Sequence, residues 1–280
     1  MAHEHAHGHP HAGHGHVPAD QAGHLAELLD LDAEVLHDHL TGVMSWIGGQ
    51  VTPTRILDLG AGTGTGSIAL ARQFPDASLI ALDASAQMLD HLARQAHRNG
   101  LGDRIHPVQA DLDTVWPALD PVDLVWASAS LHHLADPDRV LTDVFATVRP
   151  GGLFVVAEQD SFPRFLPAGA AGGLEERLHA VLADKRAHDM PHMGDDWGAR
   201  LTKAGFNVES ARVAEIHLVA PLPPAAGRYA EATLSRLRHG LAAELLDEDR
   251  QALDSLVAEI AHRSDLTIRA TRPLWSARRP

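Results

Sequence analysis

A glycine-rich segment is the part of this 280-residue sequence best suited to ligand chemistry. An apolar run leads directly into Gly60, Gly62 and Gly64, which place a glycine at every second position. Glycine has no side chain, so the backbone of such a turn can approach a ligand closely. A dinucleotide fingerprint needs a further glycine at the sixth position, where Thr65 stands counting from Gly60 and Ser67 counting from Gly62. The spacing therefore disfavours a nicotinamide-dependent oxidoreductase.

Acidic side chains stand beside three of the apolar runs. Asp58 comes two residues before the glycines, Asp83 closes the run 78–82, and Asp111 follows the run 105–110. Carboxylates accept hydrogen bonds from hydroxyl and amine groups. In open α/β sheets the ligand lies at the carboxyl ends of the strands. Asp83 and Asp111 are therefore predicted to face one ligand.

Alternating apolar and amphipathic segments predict the elements that hold these residues. The pattern indicates a doubly wound α/β fold with a mostly parallel seven-stranded sheet. Strands are predicted at 55–59, 78–82, 105–110, 122–127, 153–157, 208–219 and 266–277. Helices between the first five strands are predicted at 65–73, 85–99 and 137–148.

Five segments within residues 55–157 resemble the class I S-adenosylmethionine-dependent methyltransferases of the small-molecule type. They are, in order, the glycine segment, the acidic end at Asp83, the segment around Asp111, the segment 128–134 and the turn 149–153. The resemblance implies S-adenosyl-L-methionine as cofactor. It also implies methyl transfer to a small organic acceptor, with O-, N- and C-methylation all left open.

The resemblance also implies which residues hold the cofactor. In that family an acidic residue closing the second strand bonds the ribose hydroxyls, which is the place of Asp83 here. Asp111 would accept from the adenine amine, Ala110 and Leu112 would contact the ring, and Met88 would pack on its other face. The whole implied set is Asp58, Gly60, Ala61, Gly62, Gly64, Asp83, Ala84, Met88, Ala110, Asp111, Leu112 and Ser128.

Titratable residues follow the fourth and fifth predicted strands. His132 and His133 are suited to general-base catalysis because imidazole titrates near neutral pH, and they are equally suited to capping or packing a helix. Glu158 and Asp160 are predicted to orient a polar acceptor, although residues that leave a strand are commonly just solvated. Trp46 lies on a predicted amino-terminal helix that folds over the cleft in similar enzymes, and ordinary helix packing explains it equally well.

Charge and cysteine content exclude several classes of function. The 37 acidic residues outnumber the 23 Lys and Arg residues by 14, which disfavours nucleic acid as a partner because phosphate contacts need clustered cations. The absence of cysteine excludes disulfides and cysteine nucleophiles. No apolar stretch approaches 18 residues and no secretory pattern begins the chain, so we expect a cytoplasmic protein without a membrane segment. The oligomeric state is left open.

Composition divides the chain into four predicted parts. Residues 1–19 form a disordered His-rich tail, and residues 20–50 form helices that cover the cleft. Residues 51–160 form the cofactor-binding core. Residues 161–280 complete the sheet and include a helical insertion at about 223–263 that covers the acceptor.

Alternating histidines in the tail suggest a second kind of chemistry. Imidazoles on a flexible chain bind Ni²⁺ or Zn²⁺ adventitiously. The alternative function is therefore a metal-handling protein whose folded domain is a non-catalytic cofactor-binding sensor. The predicted ligands are His3, His5, His7, His9 and His11.

Overall fold

The computed structural model describes the backbone of residues 19–280 and the side chains of residues 23–280. The predicted metal ligands His3, His5, His7, His9 and His11 lie outside the described residues. Within residues 19–280, no helix is both long enough and apolar enough to cross a membrane.

Seven strands form one mixed sheet in the order β3-β2-β1-β4-β5-β7-β6. Strands β1 to β5 run parallel, and β7 is antiparallel to both of its neighbours. This arrangement confirms the predicted α/β class and the mostly parallel sheet. The strands are β1 (Arg55–Leu59), β2 (Ser78–Asp83), β3 (Ile105–Gln109), β4 (Val122–Ser128), β5 (Val148–Ala157), β6 (Asn207–Leu218) and β7 (Ile268–Arg278).

The described residues also form nine α-helices, and short 3₁₀ turns occur at Leu131–His133, Ala170–Gly173 and Ile260–His262. Side-chain caps set three of the helix starts. Ser85 accepts from the Met88 amide, Asp136 from the Arg139 amide and Asp196 from the Ala199 amide. The helices are α1 (Ala19–Val35), α2 (His37–Gly48), α3 (Thr65–Gln73), α4 (Ala86–Arg98), α5 (Pro137–Thr147), α6 (Leu174–Asp189), α7 (Trp197–Lys203), α8 (Ala226–Gly240) and α9 (Asp247–Glu259).

Two elements differ from the sequence-based prediction. The fifth strand begins at Val148 rather than at residue 153, because Val148 pairs with Val122 ahead of a register shift. The predicted helical insertion at about 223–263 contains two α-helices, and a turn at residues 241–246 separates α8 from α9. Arg250 closes that turn by donating to the carbonyls of Ala242 and Leu245.

Apolar side chains cover both faces of the parallel strands. On β4, Leu124 and Trp126 face the layer of α2, α3 and α4, whereas Val125 and Ala127 face the layer of α5 and α7. A strand that is buried on both faces needs a continuous apolar run, which explains the pattern in the sequence. The carboxyl ends of these strands meet at the edge that carries the glycine segment.

A separate apolar cluster lies beyond that edge. Helices α6, α8 and α9, which we call the cap, form most of this cluster. The chain around Phe165 and parts of β6 and β7 complete it. Val35 and Leu36, at the junction of α1 and α2, belong to the same cluster. The first helix therefore connects the cap to the half of the sheet that carries the glycine segment.

Candidate functional site

The glycine segment, which we call the glycine loop (residues 60–64), requires glycine for reasons of both conformation and space. Gly60 and Gly64 have φ angles of 68° and 92°, in the left-handed region that disfavours other residues. A Cβ on Gly60 would lie 2.4 Å from the Cβ of Ser130, and one on Gly64 would lie 2.6 Å from the Cγ of Leu92. The loop is therefore pressed against the β4 connection and against α4.

Asp83 joins the loop to the end of β2. One carboxylate oxygen accepts from the Gly62 amide and the other accepts from the Ser85 amide, each at 2.8 Å. Because a carboxylate offers about four acceptor positions, each oxygen retains capacity for a ligand hydroxyl. Asp83 is half-buried and the next residue, Ala84, is exposed, so this edge is open to a ligand.

The predicted adenine-binding residues follow β3. The Asp111 carboxylate accepts from the Asp113 amide at 3.0 Å through Oδ1, and Oδ2 makes no hydrogen bond within residues 23–280. Ala110 and Leu112 are half-buried beside it. The Ala110 amide donates to the Asp83 carbonyl at 3.0 Å, which brings this segment next to the end of β2.

Two predicted cofactor residues are enclosed by the protein. Asp58 is only 2% exposed and accepts from the Ser67 hydroxyl at 2.6 Å, so it supports the start of α3. Burial raises the pKa of Asp58 to about 7, and nearby Asp83 adds to the rise. Ala61 is also buried, and its amide donates to the Leu82 carbonyl at 2.8 Å. Both residues therefore support the glycine loop from the protein interior.

His132 and Glu158 form a buried pair where β4 and β5 end. The imidazole Nδ1 lies 2.6 Å from Oε2 of Glu158, and both residues are 2% exposed. The other oxygen of Glu158 accepts from the amides of Ser130 and Leu131, at 3.1 and 2.8 Å. Glu158 therefore fixes both the ring of His132 and the turn that carries it. His133 is exposed, with its ring centroid 4.1 Å from that of His132.

Residues 56–152 match the model of a family described as a methyltransferase domain. The match runs from β1 into β5 and therefore contains the glycine loop, Asp83, Asp111 and His132. Residues 56–152 are therefore similar to this methyltransferase-domain family. The resemblance recognised in the sequence is confirmed.

Curated relatives match over part of their length. A malonyl-[acyl-carrier protein] O-methyltransferase of Methylovorus sp. is 30% identical over 161 residues, which cover 56% of this chain and 52% of the relative. A trans-aconitate 2-methyltransferase of Azoarcus sp. is 29% identical over 174 residues, which cover 62% of this chain and 53% of the relative. The chain thus spans about half the length of these two relatives.

Solved structures share the fold. One is phosphoethanolamine N-methyltransferase 2 of Haemonchus contortus, in complex with phosphomonomethylethanolamine and S-adenosylhomocysteine. Its TM-score is 0.56 at 15% identity, and the match covers 93% of this chain and 59% of that chain. At this identity the likeness concerns the fold alone.

The first helix lies over the glycine loop. The Leu29 side chain lies 3.6 Å from the position of a Cβ on Gly62, and Asp30 pairs with His91 of α4 at 2.9 Å. A cavity of about 410 Å³ remains between α1 and α4, and Met88 lies in its wall. Met88 is itself 6% exposed. The cavity therefore adjoins Met88, one of the predicted adenine-binding residues.

The remaining predicted site residues are Ser128, Asp160 and Trp46. Ser128 is exposed at the end of β4. Asp160 is exposed, and its carboxylate accepts from the Thr271 hydroxyl at 2.5 Å. Trp46 is half-buried, and the guanidinium of Arg212 lies 3.6 Å from the centre of its ring. Trp46 therefore packs on β6, and an acceptor contact by Trp46 stays a prediction.

Sequence reasoning missed residues that the tertiary structure adds to the site. Ser130 packs on Gly60 and donates to the Leu59 carbonyl at 2.9 Å, whereas Arg186 of α6 donates to the Asp160 carbonyl at 2.8 Å. Arg186 stands four residues after the buried Leu182, and this spacing marks a cation on the inward face of a helix. No comparable signal marks Ser130. Among residues 23–280 no group of three or more His, Asp and Glu side chains is arranged to hold a metal ion.

Proposed function

We propose that this protein transfers a methyl group from S-adenosyl-L-methionine to a small organic acceptor. The observation that carries the proposal is the 2.8 Å hydrogen bond from the Gly62 amide to Asp83, which joins the glycine loop to the acidic end of β2. A backbone without side chains and a carboxylate with spare acceptor capacity suit a nucleoside that bears vicinal hydroxyls. Asp111, at the end of the neighbouring strand, suits its exocyclic amine.

Bound S-adenosyl-L-methionine would supply an electrophilic methyl group, so the protein's task is to align the acceptor and exclude water. Gly60, Gly62 and Gly64 would let the backbone approach the cofactor, and Asp83 would bind the ribose. Asp58 would hold the loop from inside, because its buried carboxylate accepts a hydrogen bond from the Ser67 hydroxyl. Leu29 of α1 would help to keep water from the loop.

His132 is our candidate general base. Its Nδ1 lies against the Glu158 carboxylate, so Nδ1 carries the proton and Nε2 is left to accept one from a hydroxyl or amine acceptor. Glu158 would then position His132 instead of contacting the acceptor, because both of its oxygens are occupied by protein donors. This assignment revises the acceptor-orienting role predicted for Glu158.

Calorimetric titration of S-adenosylhomocysteine into the full-length protein tests the cofactor assignment. We expect micromolar binding, weakened roughly 10- to 100-fold in Asp83→Ala because charge-assisted hydrogen bonds are lost. Asp90→Ala is the matched control, since Asp90 is an exposed acid on α4. Absence of binding by the folded wild-type protein would overturn the proposed function.

Acceptor screening with S-adenosyl-L-methionine tests the reaction itself. The names of two relatives refer to a malonyl group and to trans-aconitate, both of which bear carboxylates. Carboxylic acids are therefore screened first, followed by alcohols and amines. For a hydroxyl or amine acceptor, His132→Gln is expected to lower kcat by about 10²- to 10⁴-fold. A carboxylate oxygen carries no proton to remove, so turnover of such an acceptor should be nearly unchanged. A hydroxyl acceptor turned over equally well by His132→Gln would exclude the base assignment.

A further inference from the structure

Three arginines that form no salt bridge with any of residues 23–280 lie together beside the cap. Arg164 and Arg269 pair as an antiparallel bridge, each donating its amide to the other's carbonyl at 2.9 Å. Arg186 belongs to α6, and Arg164 and Arg186 both act on the buried His179 between them. Burial first, and then these two cations, lower the pKa of His179 to about 4, so the imidazole is neutral at pH 7. We call Arg164, Arg186 and Arg269 the arginine cluster.

Two acidic residues near the cluster, Glu175 and Glu176, accept hydrogen bonds from backbone amides. Glu175 is buried and accepts from the amides of Phe165 and Leu166, at 2.6 and 2.9 Å. Glu176 accepts from the Gly169 amide at 3.2 Å and is directed to the surface loop. Within residues 23–280 neither carboxylate forms an ion pair with the cluster, in a chain whose net charge is −14. Glu175 and Glu176 act on Arg164 and Arg269 through space, and Asp160 acts on Arg186, so these carboxylates lie near the cluster without a direct ion pair to its guanidinium groups.

Arg186 has one edge of its guanidinium group unused. Its Nη1 donates to the Asp160 carbonyl at 2.8 Å and lies 3.1 Å from the sulfur of Met193. Its Nε is buried with no hydrogen-bond partner, and Nη2 makes no hydrogen bond to any described residue. Nε and Nη2 form the side of the guanidinium that binds a carboxylate or phosphate with two parallel hydrogen bonds.

The unused edge of Arg186 is linked through the chain to the buried pair of His132 and Glu158. Asp160, which Arg186 binds, stands two residues after Glu158, and Glu158 holds His132. Arg269 of β7 donates through Nη2 to the Leu166 carbonyl at 2.6 Å, and its Nε is likewise buried without a partner. Two unpartnered guanidinium donors thus lie where the chain leaves β5 and enters the cap. An unpaired buried donor is unfavourable until a ligand or water satisfies it.

We propose that the arginine cluster binds an anionic group of the methyl acceptor, a carboxylate or a phosphate, with Arg186 as the bidentate donor through Nε and Nη2. This inference rests on the proposed function and deepens it, because it assigns a charge to the acceptor. Arg164 and Arg269 supply further positive charge, and His179, neutral at pH 7, does not compete for the anion. The acceptor would then be held at its anionic end while its reactive atom faces the cofactor.

Anion binding is measured by calorimetry on the full-length protein saturated with S-adenosylhomocysteine. The probes are succinate, inorganic phosphate and, as a neutral match to succinate, succinamide. We expect one of the two anions to bind and succinamide not to bind. Which anion binds more tightly distinguishes a carboxylate-bearing from a phosphate-bearing acceptor.

Two substitutions of Arg186 make the test specific. Arg186→Gln should weaken anion binding roughly 10- to 100-fold. The affinity of Arg186→Lys should lie between those of Arg186→Gln and the wild type, because lysine keeps the charge but cannot donate two parallel hydrogen bonds. Arg98→Gln is the matched control, since Arg98 is an exposed arginine on α4. Circular dichroism and the affinity for S-adenosylhomocysteine show whether each variant is folded.

Two results would overturn the inference. One is anion binding of equal strength in the wild type and in folded Arg186→Gln. The other is absence of binding of both anions, at millimolar concentrations, to wild-type protein that binds S-adenosylhomocysteine. Failure to bind S-adenosylhomocysteine is a separate result that counts against the proposed function, and the anion titration is then read on the unliganded protein.

Discussion

The glycine loop and the cap are held in place by different kinds of contact. In the loop, the bonds that fix the geometry join a carboxylate to backbone amides, and Asp83 reaches partners only 21 and 2 residues away, Gly62 and Ser85. In the cap, side chains bond across most of the chain. Asp32 of α1 accepts from Tyr229, 197 residues further on, and Arg228 donates to Glu27 across 201 residues.

The contrast shows where each half of the site gets its shape. The hydrogen bonds of Asp83 to the loop use backbone amides, so they require only glycines in these positions and an acidic residue at the end of the next strand. Cap contacts depend on two particular side chains that meet only after the sheet has formed. The first helix belongs to both halves, because Leu29 lies over Gly62 while Asp32 binds Tyr229.

The largest effect is expected from Gly60→Ala, which tests the packing of the loop. The substitution adds left-handed strain and a Cβ 2.4 Å from that of Ser130, so the free energy of unfolding should fall by about 3 kcal/mol. Gly100→Ala is the control, because Gly100 has the same φ of 68° with nothing within 4 Å of its Cβ position. It should lose only about 1 kcal/mol. The free energies of unfolding are measured with urea. If both variants lose the same amount, contact with Ser130 does not add to the cost of Gly60→Ala.

Glu158→Gln tests the pair that joins the ends of β4 and β5. Loss of the charged acceptor from three buried hydrogen bonds should lower the free energy of unfolding by about 2 kcal/mol. Glu248→Gln, an exposed substitution at the start of α9, should change it by less than about 0.5 kcal/mol. If both variants unfold at the same urea concentration as the wild type, Glu158 does not hold the turn that carries His132.

The pH dependence of stability tests the burial of Asp58. Because burial raises its folded-state pKa from 3.8 to about 7, the folded protein binds a proton that the unfolded chain releases between these values. Asp58 therefore stabilises the fold below about pH 4, and this contribution is lost as the pH rises to 7, by up to about 1.4 kcal/mol per pH unit.

Asp58→Asn should remove that slope. The difference in free energy of unfolding between Asp58→Asn and the wild type is measured at pH 5, 6, 7 and 8. We expect the variant to gain relative stability from pH 5 to 7 and the difference to be constant above about pH 7. A difference that stays constant from pH 5 upward would mean that Asp58 is ionised in the folded protein and reaches solvent or a ligand.

The smallest effect is expected from Tyr229→Phe, which tests whether contacts of the cap influence ligand binding at the glycine loop. Loss of the hydroxyl bonded to Asp32 should cost about 1 kcal/mol of unfolding free energy. The affinity for S-adenosylhomocysteine should stay within about twofold, since mutations in separate contact networks act nearly independently. An affinity loss as large as that of Asp83→Ala would show that the cap and the loop form one unit.

The tyrosine also provides a spectroscopic check, because Tyr229 is the single tyrosine of the chain. Burial and the neighbouring Asp32 hold the pKa of Tyr229 well above its ordinary value. Absorbance at 295 nm should therefore show phenolate only at the pH where the protein unfolds. A phenolate signal in the folded protein near the ordinary pKa would contradict burial of the hydroxyl.

Much of the cofactor half was predictable because its signals are local. The glycine spacing requires a turn with positive φ angles, and the apolar runs define strands that are buried on both faces. Parallel strands place their carboxyl ends on one edge, which brings Asp83 and Asp111 to the glycine loop without any knowledge of side-chain packing. The predicted strand and helix bounds differ from the observed ones by at most two residues, except at the start of β5, which lies five residues earlier because Val148 pairs with Val122.

Burial and side-chain partners were not predictable from spacing. Glu158 and Asp160 look alike in the sequence, yet Glu158 is enclosed with His132 whereas Asp160 is exposed. Asp58 belongs to the glycine motif, yet its carboxylate faces Ser67 in the interior.

The sequence by itself therefore determined the α/β class, the glycine loop and the acids at the strand ends, since each depends on periodicity or on short-range backbone geometry. Only the tertiary structure decided that His132 is held by Glu158 and that Arg186 leaves one edge of its guanidinium unpaired. It also decided that α1 links the loop to the cap. These features arise from contacts between distant parts of the chain, and no local pattern specifies which side chains meet when the sheet and the cap close together.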